Sequence, residues 1–230
     1  MEIEQRQLVK TARIAGVWYL ILAISGIIGF MIFHPQLFLT DDPQKTLTNL
    51  INLGTVSRLR LLFELVIIVS QALAAVWFYK LFCNINKWAA LTLGIWGTVN
   101  AVVIMVSAIS INSAIEIAHS SPLTFQEKTV LIQLLVKIIT NAWAIGGLFF
   151  GLWLIPMGYI VISSERMPIW LGRILIIGGI GYILQTFINS LGVKSPYVDF
   201  MAMPATVGEL WMIGYLLTYG IRPAINHENK

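Results

Sequence analysis

Arg60, Glu64 and Gln71 stand inside one apolar run, Thr55 to Lys80, and with Ser57 they fall at i, i+3, i+7 and i+14. At 100° per residue these share one narrow helical face, while Arg58 points elsewhere. A guanidinium, a carboxylate and an amide on one face can hold an anionic group and orient it through directional hydrogen bonds. Comparable stripes recur downstream. Asn112, Glu116 and His119 repeat at i, i+4 and i+7; Gln133, Lys137 and Asn141 at i, i+4 and i+8; Tyr182, Gln185 and Asn189 at i, i+3 and i+7. Glu209 stands in the last apolar run. An ionisable side chain at the bilayer centre costs about 2.5 to 3.5 kcal/mol on insertion scales, so such residues face a protein interior, a partner charge or a watery cavity.

The elements that must position them follow from composition. The 230-residue chain is 57% hydrophobic and 11% charged, where an ordinary soluble domain is about 25% charged. Its mean hydropathy is +0.80. Apolar runs of membrane length recur along the whole chain with short polar breaks. The expected fold is all-α, a polytopic membrane protein with a bundle of six transmembrane helices. It forms one integral domain over 1–230, with spans at about 14–33, 57–80, 89–116, 130–160, 169–190 and 204–221. Arg6, Lys10 and Arg13 precede a first apolar run too long for the roughly 7 to 15 residues of a signal h-region, so this is a retained helix. In the first outer loop, Asp42 and Pro43 read as N-cap and first helical residue of a short interfacial helix with an apolar edge of Leu47, Leu50 and Ile51. Thr124 to Glu127 is an S/T-x-x-E capping box opening the fourth helix.

The net charge is +4. Basic residues flank the apolar runs, which fits orientation and anionic lipid headgroups and gives no support for nucleic acid. Six spans put both termini on one side. That side holds Arg6, Lys10, Arg13, Lys80, Lys87, Arg166, Arg173 and Arg222, and the positive-inside rule makes it the cytoplasm of a bacterial inner membrane. Arg60, Glu64, Gln133, Lys137, Asn141 and Glu209 then fall in outer halves of their helices, and Asn112, Glu116, Gln185 and Asn189 in last turns. The expectation is an outward-facing polar pocket in which Arg60 and Lys137 hold an anion and Glu64 and Glu209 balance them. Gln71, Gln133, Asn141, Asn112, Gln185 and Asn189 supply hydrogen bonds, with Arg58 at the rim. The alternative is structural: Arg60 paired with Glu64, and Lys137 with Glu209, fix helix register.

Other signals are weaker. Glu116 and His119 form E-x-x-H, and with His34 on the same outer side they are weak zinc candidates. No cofactor is expected, and haem would want histidines inside the bundle. Cys83 is the single cysteine, excluding an internal disulfide and a cysteine-built metal cage. Gly147 and Gly151, with Gly94, Gly97, Gly178, Gly179 and Gly181, read as close-packing positions. Trp18, Trp77, Trp88, Trp170 and Trp211 read as interfacial anchors, and Trp143 as core. No Ser-His-Asp arrangement or glycine-rich phosphate loop is present.

Gly151 to Gly181, GLWLIPMGYIVISSERMPIWLGRILIIGGIG, and Pro204 to Gly220, PATVGELWMIGYLLTYG, with Arg13, Ala15, Gly16 and Tyr19, resemble the bacterial membrane family catalogued as domain of unknown function 4386. The resemblance implies a multi-helix inner-membrane protein and carries no reaction, substrate or site residue. Three functions stay open. The first is binding, with or without transport, of a small anionic molecule or lipid headgroup. The second is a membrane-embedded enzyme acting on a lipid or isoprenoid, with Glu64 or Glu209 in proton chemistry. The third is a non-catalytic sensor or subunit, with self-association open in each case.

Overall fold

In lipid a segment must satisfy its own backbone N–H and C=O groups, and the helix does this locally. The computed structural model describes residues 2–39, 41–193 and 195–223, and no strand occurs among them. Helix α1 (Glu2–Ile27) passes through a π-helical turn, Ile28–Phe33, into the one-turn α2 (His34–Leu37). Then come α3 (Pro43–Asn52), α4 (Gly54–Phe82), α5 (Lys87–His119), α6 (Phe125–Ser164), α7 (Ile169–Ser190), α8 (Pro196–Phe200) and α9 (Met203–Thr218). Six stretches among the described residues are long and apolar enough to cross a membrane. The protein is therefore a multi-pass helical membrane protein.

Local chemistry sets several boundaries. Asp42 accepts from the Lys45 amide at 2.9 Å and Pro43 opens α3. That helix buries Thr46, Leu47 and Leu50, whereas Ile51, expected on the same edge, is exposed. The Thr124 box forms: Glu127 accepts from the Thr124 amide at 2.8 Å and its hydroxyl at 2.7 Å, and α6 begins at the next residue. Two features go beyond the sequence expectation: α8 lies in the stretch between the expected fifth and sixth spans, and α1 leads into the π turn.

The chain folds as two compact units, one of 1–20, 71–100 and 147–230, the other of 21–70 and 101–146. In the first, α6 and α7 meet backbone to backbone. A Cβ on Gly151 would lie 2.5 Å from the Gly179 carbonyl oxygen, and one on Gly158 would lie 2.5 Å from that of Gly172. Such contacts require glycine and replace a hydrophobic driving force that lipid does not supply. Gly178 and Gly181 meet the backbone of Ala205 and Met201 in the same way. The second unit has its own apolar core, in which Leu37, Leu47 and Leu50 pack with Ile111, Ala114, Ile132 and Ile139.

Side-chain exposure marks the lipid-facing length of each helix. On α5 the exposed face runs Trp88, Leu91, Ile95, Val102, Met105, Ile109 and then turns polar with Asn112, Glu116 and His119. Trp88 to Ile109 is about 32 Å of helix at 1.5 Å per residue, the thickness of a bilayer hydrocarbon core. On α4, exposed Arg58 and Lys80 bracket exposed Leu62, Leu65, Val69 and Val76 over about 33 Å. On α6, Asn141 and Ser163 bracket a stretch of similar length, and on α7 the exposed apolar face ends at Asn189. The first half of α6 carries exposed Phe125, Val130, Leu131 and Leu134 beside exposed Gln133 and Lys137.

Candidate functional site

In the second unit α4 turns Arg60 and Glu64 inward, and both are 0% exposed. Arg60 Nη1 donates to Glu64 Oε2 at 2.7 Å, one helical turn away. The other carboxylate oxygen, Oε1, accepts from the Trp143 indole of α6 at 3.0 Å, and that N–H also lies 3.2 Å from the Ser107 hydroxyl of α5. The π turn after α1 closes over the cation. The Phe30 ring centroid is 4.5 Å from the Arg60 guanidinium carbon, a cation–π distance, and Phe30 also meets Trp143 edge on at 4.3 Å. Gly29 faces the cation, and a Cβ there would meet Arg60 Nη1 at 3.5 Å, an ordinary van der Waals contact. His34, on the next turn, stands in electrostatic range of Arg60 and against the Phe38 ring at 4.9 Å.

The hydrogen-bond inventory of this cluster is unequal. Both Glu64 oxygens are satisfied. Arg60 Nε and Nη2, and His34 Nδ1, are buried without a protein partner among the described residues. A guanidinium carries five N–H donors and no acceptor, so the three donors on Nε and Nη2 have no acceptor among the described residues. The ion pair itself is charge-neutral; what the cluster lacks is acceptor oxygen.

The other expected residues are placed differently. Asn112 donates to Glu116 at 2.8 Å on an exposed face, and His119 Nδ1 meets the Ile115 carbonyl at 2.9 Å. Among the described residues no group of three or more His, Cys, Asp or Glu side chains could hold a metal. Gln133 is exposed beside a crevice of about 10 Å³. Lys137 and Asn141 are exposed on α6. Asn112, Glu116, Gln133, Lys137 and Asn141 are thus not gathered around Arg60. They are exposed, whereas Arg60 and Glu64 are fully buried, and Arg58 is exposed as well.

In the first unit Gln71 is fully buried on α4 and donates to the Gly97 carbonyl at 3.3 Å. One turn on from Gly97, Asn100 is also 0% exposed, and neither of its amide atoms has a partner among the described residues. Glu209, half-buried, accepts from the Tyr19 hydroxyl at 2.6 Å. Tyr19 is itself packed edge on to Phe78. Gln185 donates to Asp199 at 3.3 Å, and Asn189 is exposed.

Sequence reasoning missed Trp143, Ser107, Phe30 and Tyr19. Trp143, read as core, packs against the apolar core of the second unit and in addition donates to Glu64. A sequence signal existed for Ser107 alone: it sits at i+7 from Asn100 on the buried face of α5.

A family model described as domain of unknown function 4386 matches residues 14–220. An uncharacterized protein of Archaeoglobus fulgidus is 32% identical over 76 residues, which cover 33% of this chain and 44% of that one. The chain thus spans less than half the length of the curated relative it matches. No solved structure matches it. With the family model reaching into all six membrane-length stretches, the chain belongs to the domain of unknown function 4386 family.

Proposed function

We propose that the protein binds an anionic group, a carboxylate or phosphate carried by a small molecule or a lipid, on the Nε–Nη2 edge of Arg60. The observation that carries this reading is that guanidinium, fully buried, with one nitrogen on Glu64 and two without a protein partner. Buried donors left unpaired cost about 1 to 3 kcal/mol each. The planar fork formed by Nε and Nη2 matches the two oxygens of a carboxylate or phosphate. Glu64 holds Arg60 in one rotamer, and Trp143 holds Glu64, so the donor pair is oriented before any ligand arrives. Ligand entry requires Phe30 to swing aside. The π turn that carries it supports this, because single π turns recur inside helices at functional sites.

In this reading Arg60 serves the extracytoplasmic side. The basic residues Arg13, Lys80, Lys87, Arg166 and Arg173 gather at one end of the lipid-facing lengths and support a cytoplasmic assignment of that end. Arg60, two residues beyond exposed Arg58, lies near the other.

The test is native mass spectrometry of the gently solubilised protein against Arg60→Met/Glu64→Leu, which removes the charges as a pair and so preserves the fold. The expected result is a discrete anionic adduct on the wild type that the double variant lacks. An adduct-free wild type, or the same adduct on both proteins, overturns the reading.

A further inference from the structure

A surface groove of about 670 Å³ runs along α1 in the first unit. Arg6, Lys10 and Arg13 line its beginning at i, i+4 and i+7, all three exposed. Ile14, Val17 and Trp18 line its continuation. The groove is lined almost wholly by apolar surface, to which Arg6, Lys10 and Arg13 contribute their aliphatic stems over about 10 Å of helix, and Val17, Ile24 and Ile27 are exposed farther along α1.

Three other cations of the first unit are engaged. Arg166 gives Nε to the Arg222 carbonyl at 2.6 Å and Nη2 to the Gln5 side chain at 2.8 Å. Lys80 lies over the Trp77 ring at 4.6 Å and Arg173 over Trp170 at 4.7 Å. Lys10 and Arg13 have no such partner among the described residues. Gln5 also donates to the Ile221 carbonyl at 2.6 Å, so the start of α1 is fixed in place beside the groove.

We infer that this groove binds an anionic phospholipid, with its phosphate on Lys10 and Arg13 and an acyl chain along Ile14, Val17 and Trp18. Charge complementarity selects the headgroup and the apolar continuation selects a lipid over a soluble anion. Zwitterionic phospholipid offers the same chains with no net charge and is the natural competitor. The site is independent of Arg60.

The test embeds the protein in nanodiscs of equal phosphatidylglycerol and phosphatidylethanolamine and reads the lipids it retains by native mass spectrometry. The wild type is expected to retain phosphatidylglycerol preferentially. Lys10→Gln/Arg13→Gln should lower that preference by up to roughly thirtyfold, from the usual effect of two basic residues at an anionic surface. Ile14→Trp fills the apolar part, keeps every charge and hence the topology, and should also lower retention. Equal retention of both lipids by the wild type overturns the inference. So does a loss in the charge variant with none in Ile14→Trp, which would put the lipid on the charges but outside the groove.

Discussion

Glu64→Leu leaves the Arg60 guanidinium buried with no counter-charge. Its Nη1 loses a 2.7 Å bond to a carboxylate, and no other acidic side chain contacts it among the described residues. Breaking a buried pair from one side costs about 3 to 5 kcal/mol. Trp143 adds little to that loss, because its N–H keeps the Ser107 hydroxyl at 3.2 Å. Arg60→Met should cost a similar amount, since Glu64 would retain the Trp143 N–H as its sole donor. Arg60→Met/Glu64→Leu should be close to wild type, because paired apolar replacement of a buried ion pair is often neutral or stabilising by about 1 to 4 kcal/mol. The resulting coupling energy is at least about 6 kcal/mol in magnitude, far above the few tenths expected of independent sites. The assay is reversible unfolding of the detergent-solubilised protein for the wild type, both single variants and the double variant. Single variants costing under about 1 kcal/mol would mean a hydrated, surface-like pair and refute the burial argument. A double variant as unstable as the sum of the singles would refute the coupling.

Gly158→Ala pushes a Cβ to 2.5 Å from the Gly172 carbonyl oxygen and should destabilise by about 1 to 3 kcal/mol, whereas Gly26→Ala meets nothing within 4 Å and should be neutral or slightly stabilising; thermal denaturation separates them. Tyr19→Phe removes the 2.6 Å bond to Glu209 and should cost about 1 to 3 kcal/mol in the same assay, an unchanged stability refuting a role for that bond. In a Cys83→Ala background, cysteines replacing Asn112, Glu116 or Lys137 should react with a membrane-impermeant maleimide from the side opposite Lys80, and those replacing Val69 or Val102 should not. Protection of the Lys137 position would place it in lipid and contradict a lipid-facing length of α6 that begins at Asn141.

The α4 stripe was legible because helical periodicity alone sorts its residues: Ser57, Arg60, Glu64 and Gln71 are all 0% exposed. The Asp42 and Thr124 caps were legible for a similarly local reason, a side chain reaching its own backbone within three residues. Gln133, Lys137 and Asn141 repeat along one face of α6, but spacing alone does not say which way a polar face turns: in lipid it turns inward and in water outward, and on the folded helix all three are exposed while Ile132 and Ile139 are buried. Trp143 and Glu64 are separated by 79 residues, and Tyr19 and Glu209 by 190, so no spacing rule connects either pair. The π turn beside Arg60 has no sequence signature beyond the small Gly29.

The proposed function requires an acceptor for Arg60 Nε and Nη2, which have none among the described residues. An experimental structure of the protein purified with its native lipids, at a resolution that separates ordered water from larger groups, tests this most directly. The predicted result is non-protein density with two oxygens at charge-assisted distance, about 2.7 to 2.9 Å, from Nε and Nη2. Isolated water molecules alone on those nitrogens would contradict it and leave the Arg60–Glu64 pair as a device for helix register.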